Sequence, residues 1–91
     1  MKKKLAALIE EAKILGLPQR DLDNANDFLI NHEYGLCYDT VITQLYEYDI
    51  EIDNKIYSLI SKIAKDLSLS ENDYLFMKDL VRAETEISKK L

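Results

Sequence analysis

Ninety-one residues are enough for one modest hydrophobic core and too few for two, so a single domain over residues 1–91 is expected. With 47% hydrophobic and 32% charged residues the chain has a globular balance, which argues against disorder along its length. The formal net charge of −5 argues against a nucleic-acid surface, because such a surface needs clustered Lys and Arg to displace counterions from phosphate. Two glycines and one proline leave long stretches without a turn signal, and the expected fold class is all-α, a small bundle of about five helices.

Apolar residues recur at helical spacing from Lys3 to Leu15, at Leu5, Leu8, Ile9, Ala12 and Leu15. Gly16 then offers a left-handed residue and Pro18 forbids continuation, so a first helix should end there. Lys2, Lys3 and Lys4 sit at the wrong end for the helix dipole and predict a frayed start. Glu10 and Glu11 interrupt the apolar run after five residues, which is too short for a signal peptide and far too short to span a bilayer. A cytoplasmic protein without membrane contact is therefore expected.

A second helix is predicted from about Pro18 to Asn31, with Leu22, Ala25, Phe28 and Leu29 inward and Asp21, Asp23, Asn24, Asn26 and Asp27 facing water. His32 and Gly35 mark a bend, where the histidine is expected to end the helix or sit at a contact rim. In a third helix, from Tyr34 to Tyr48, the residues Cys37, Tyr38, Val41, Ile42, Leu45 and Tyr48 converge on one side. Asp39, Thr40, Thr43, Gln44 and Glu47 take the other side, Leu36 is stranded among them, and Tyr46 lies at the border. Cys37, the lone cysteine, rules out an intramolecular disulfide and reads as a buried core thiol.

The run from Asp49 to Asp53 alternates acid and isoleucine, but no partner strand is evident elsewhere. It reads as an extended connection with Ile50 and Ile52 inward. Its carboxylates do not form a calcium loop, since there is no central Gly and no Glu at the twelfth position. Asp53 is placed instead to cap a helix over Asn54–Leu67, with Ile52 and Tyr57 as a hydrophobic staple. Ile56, Leu59, Ile60, Ile63 and Leu67 make this the cleanest stripe in the chain and predict the central buried helix. Ser70 and Asp73 form a weak capping box, with Leu69 and Tyr74 as a second staple, for a fifth helix whose inner face is Met77, Leu80, Val81 and Ile87. Beyond Glu84 polarity rises, and the last four residues should fray.

Catalytic signatures are missing: there is no phosphate loop, CxxC pair, HExxH or GxSxG, and nothing marks a pocket that would raise a carboxyl pKa. No enzyme activity, cofactor or metal is expected. From Asp21 to Asn54 there is no Lys or Arg, yet nine carboxylates and four of the six tyrosines occur. Carboxylates steer a basic partner and phenol rings anchor it, so the stretch suits protein recognition. The contact residues expected are Glu33, Tyr34, Asp39, Thr43, Tyr46, Glu47, Asp49 and Glu51.

The elements Glu33-Tyr34-Gly35-Leu36 and Gln44-Leu45-Tyr46-Glu47-Tyr48-Asp49, followed by an Ile/Asp hinge and an Ile-rich helix, resemble the MafI-type immunity proteins of bacterial polymorphic toxin and contact-dependent growth inhibition systems. The likeness covers roughly residues 20–81 and is strongest over 33–60. The resemblance implies a small cytoplasmic protein that binds and neutralises one cognate toxin, commonly a nuclease; some such toxins resemble EndoU-fold ribonucleases. The alternative is an acidic helical adaptor or regulator that holds a basic segment of a non-toxin protein. A DNA-binding antitoxin would need a strongly basic recognition helix, and none is expected. Oligomeric state is left open by the sequence.

Overall fold

The computed structural model describes residues 1–82. Four α-helices follow one another: α1 (Lys2–Leu15), α2 (Gln19–Ile30), α3 (Tyr34–Glu47) and α4 (Asn54–Asp66). Two short 3₁₀ helices, Glu71–Asp73 and Leu75–Leu80, close the described chain. The fold is all-α, as the turn-poor sequence predicts.

All four helices end by the same device. The chain enters the left-handed region at Gly16 (φ 103°), His32 (φ 60°), Asp49 (φ 53°) and Ser68 (φ 61°). At each, that residue's N–H donates to the carbonyl three residues back, and the next N–H reaches five residues back: Leu17 to Ala12, Glu33 to Phe28, Ile50 to Leu45 and Leu69 to Ala64. This is the Schellman arrangement, which satisfies carbonyls that the helix end would leave orphaned. Only the first carries a glycine; His and Asp tolerate the left-handed region better than most side chains. Gly35 does not make the bend that its place in the sequence suggests. It lies in the first turn of α3, and a Cβ there would meet nothing within 4 Å.

One core unites the elements. Leu5 and Leu8 of α1, Cys37, Tyr38, Val41, Ile42 and Leu45 of α3, Ile60 and Ile63 of α4, and Met77 and Leu80 are all buried. α4 is not the central helix. It buries a single stripe and presents Lys55, Ser58, Lys62 and Lys65 to solvent, whereas α1 packs on each of the other three α-helices. The lysines at the start of α1 do not predict its first turn correctly: the helix is formed from Lys2, and Lys4 Nζ lies 2.6 Å from Asp66 Oδ2 of α4. That ammonium holds the Asp66 carboxyl below the ordinary carboxylate range, chiefly through the hydrogen bond.

Asp53 caps α4 as expected, its Oδ1 accepting from Ile56 N–H at 2.8 Å. The Ser70–Asp73 capping box also forms, but the segment it opens is 3₁₀ and not α. The run Asp49–Asp53 does find a partner: Ile52 pairs with Val81 in an isolated parallel bridge, through Ile52 N–H to Leu80 C=O and Arg82 N–H to Ile52 C=O, both 2.9 Å. The bridge explains why the last segment does not run on as an α-helix through Val81. Ile52 is buried, while Ile50 and Val81 are half-buried. Ile87 and the last four residues, which were expected to fray, lie outside the described residues.

Candidate functional site

The α3 helix organises the candidate surface. Its buried positions 37, 38, 41, 42 and 45 face the core, and this fixes which residues must face out. Leu36, Asp39, Thr43, Tyr46 and Glu47 are exposed at spacings of three, four, three and one, which lays them along one strip of the helix. Asp39 accepts a long hydrogen bond from Thr43 Oγ1 at 3.5 Å. Tyr46 stands 42% exposed with its ring edge-on to Phe76, centroids 5.0 Å apart. Phe76 belongs to the second 3₁₀ helix, so the tyrosine is held by an aromatic neighbour distant in sequence, a support no local pattern reveals.

Four of the eight expected contact residues thus share the strip: Asp39, Thr43, Tyr46 and Glu47. The other four sit off its ends. Glu33 is the N-cap of α3 and exposed. Tyr34 is half-buried, and its hydroxyl is already engaged with His32 Nδ1 at 3.0 Å. Asp49 is the left-handed residue that terminates α3, exposed at the far end. Glu51 is not free, because Arg82 Nε approaches its Oε2 to 3.6 Å. Among the described residues neither Asp39, Glu47 nor Asp49 forms an ion pair.

One inward and one outward assignment need correction. Tyr48 was expected inside with Leu45, but α3 stops at Glu47, and the turn through Asp49 swings Tyr48 out to 44% exposure. Asp21 was expected to face water, yet it is only 5% exposed. The packing of α2 on α3 covers it, and Gln44 Nε2 of α3 donates to its Oδ1 at 3.0 Å. Its Oδ2 is buried with no hydrogen-bond partner. Asp21, Arg20 and Asn24 from α2 face Asp39, Thr40, Thr43 and Gln44 from α3 across a polar groove of about 460 Å³. Asp39 also borders a second groove, of about 310 Å³, with Gly35, Tyr38, Ile42, Leu67, Leu69 and Asp73. It therefore stands on the crest between the two.

The sequence signal for the first groove was faint. Asp21 and Gln44 are ordinary polar residues on helix faces, 23 apart, and only the α2–α3 packing makes them neighbours.

The Cys37 thiol is buried, and loss of solvation pushes it up to about 11. Tyr38 is also buried, its hydroxyl donating to Ile60 C=O at 3.1 Å, and burial raises its pKa, with Tyr74 adding to the effect. Among the described residues no group of His, Cys, Asp and Glu side chains is placed to hold a metal ion, and no helix is long and apolar enough to cross a membrane. Comparison of the chain with protein-family models, with curated proteins and with solved structures finds no match.

Proposed function

We propose that this protein is an immunity protein that binds one cognate toxin in the cytoplasm and neutralises it by covering a basic nuclease surface, without bond-making chemistry of its own. The resemblance in sequence favours a ribonuclease toxin, EndoU-like in class. The observation that carries the reading is the exposed strip of α3, where Asp39 and Glu47 flank Thr43 and Tyr46 with no ion pair to either carboxylate among the described residues. A ribonuclease handles a polyanion with basic groups, and an acidic strip with a braced tyrosine complements such a groove. Long-range attraction between the two would raise the association rate roughly 10- to 1,000-fold over a neutral pair at low salt. Glu33, Tyr34 and Asp49 extend the contact beyond the ends of the strip, whereas Glu51 contributes less because Arg82 already answers its charge.

Co-expression with the toxin domain encoded beside the protein tests this directly. Rescued growth and a co-purifying complex are the expected result. The double variant Asp39→Lys with Glu47→Lys should keep its thermal midpoint and associate at least tenfold more slowly at low salt. An unchanged rate would remove the strip from the mechanism. Capture of a basic segment from a protein with no toxin activity, together with no rescue, would favour the adaptor reading instead.

A further inference from the structure

The acidic strip explains steering; the groove beside it offers something more specific. Asp21 is a carboxylate on the packed face between α2 and α3, with one oxygen held by Gln44 and the other unpartnered. A buried carboxylate oxygen without a donor is costly, and such an atom in a native fold calls for a reason. The groove it lines is polar: Asp39 borders it from the opposite helix, and Asn24, Thr40 and Thr43 complete its wall. Its one cationic lining residue is Arg20, which is exposed and makes no ion pair among the described residues.

We propose that the α2–α3 groove is a receptor for one arginine side chain of the protein partner, with Asp21 as its buried anchor and Asp39 as its rim. This deepens the reading above and rests on it for the identity of the partner, though not for the chemistry of the groove. A planar guanidinium presents five donors in a fork, and this suits two carboxylates on facing helices better than the compact ammonium of lysine. Gln44 and Arg20 are the long, flexible side chains beside Asp21, so the incoming group displaces them and no backbone need move. Arg20 is then a competitor: it lines the groove without pairing with either carboxylate, and its charge weakens the site for an outside arginine.

Methylguanidinium chloride, titrated into the full ¹⁵N-labelled chain against sodium chloride at equal ionic strength, tests the groove without any toxin. Saturable shifts of the amides of residues 20–24 and 39–44 are expected, stronger for methylguanidinium than for methylammonium. Asp21→Asn should abolish saturation, and Arg20→Ala should tighten it at least twofold. Thermal melting checks that Asp21→Asn is folded; if it is not, Asp39→Asn, on the exposed rim, should weaken binding severalfold. Absence of saturation in the wild-type chain overturns the proposal, as does equal binding by Asp21→Asn or, where that variant does not fold, by Asp39→Asn. Saturable binding here in a protein that fails to rescue growth would support the arginine site and overturn the immunity reading alone.

Discussion

Tyr38 shows at a single residue how burial and bonding combine. Its ring fills the core between α3 and α4, and its hydroxyl finds the Ile60 carbonyl at 3.1 Å. Tyr38→Phe keeps the ring and deletes the bond, so stability should fall by about 0.5–1.5 kcal/mol, measured by urea denaturation. Cys37 gives a prediction in pH. Its folded value of about 11 lies above that of an unfolded thiol, so the folded protein holds the proton longer. The stability this confers is intact below about pH 8.5 and is lost as pH rises toward 11. The midpoint of thermal unfolding should drop across that window, and Tyr38, raised in the same direction, steepens the drop at its upper end. At pH 8 the thiolate fraction is roughly a hundredfold below that of an ordinary thiol, so Cys37 should resist alkylation in the folded protein and react readily in urea.

At the scale of the element, the four Schellman ends make a graded set. Gly16 needs its glycine, because φ 103° penalises any Cβ whatever the space around it. Gly16→Ala should destabilise by about 1–2 kcal/mol, read as a lower thermal midpoint. Ser68 sits in the same role with a side chain, and it is exposed, its hydroxyl forming no hydrogen bond among the described residues. Ser68→Gly should therefore stabilise by about 1 kcal/mol, roughly 4–8 °C for a domain of this size. His32→Gly should gain less, since the ring's bond to Tyr34 goes with it. Gly35 behaves oppositely to Gly16: in the first turn of α3 with open space above it, Gly35→Ala should be neutral or stabilising by up to about 1 kcal/mol.

Across the whole molecule, the strip and the groove sit on the two sides of one packing decision. α3 turns its apolar stripe to the core, which leaves Leu36, Asp39, Thr43, Tyr46 and Glu47 outside, and α2 then packs along its flank and draws Asp21 in. Steering by the strip should weaken with salt, because the Debye length falls from about 10 Å at 0.1 M to 3 Å at 1 M. An arginine seated in the groove is partly shielded, so the dissociation rate of a partner complex should depend on salt less than its association rate does, which stopped-flow measurements at several salt concentrations would separate.

The sequence by itself determined the all-α fold, the helix stripes, the Asp53 cap and the exposed acids of α3. Each of these follows from spacing within one element, where chain geometry alone decides which residues share a face. It determined the place of Gly16 as well, because only glycine enters that conformation freely. The tertiary structure alone decided that Asp21 is buried against Gln44, that Phe76 braces Tyr46, that Val81 pairs with Ile52, and that Arg82 answers Glu51. Every one of those joins residues more than twenty positions apart, and no local periodicity encodes such pairs. They are set by how the helices dock, which is the sum of many small packing energies and the property of no single stretch of chain.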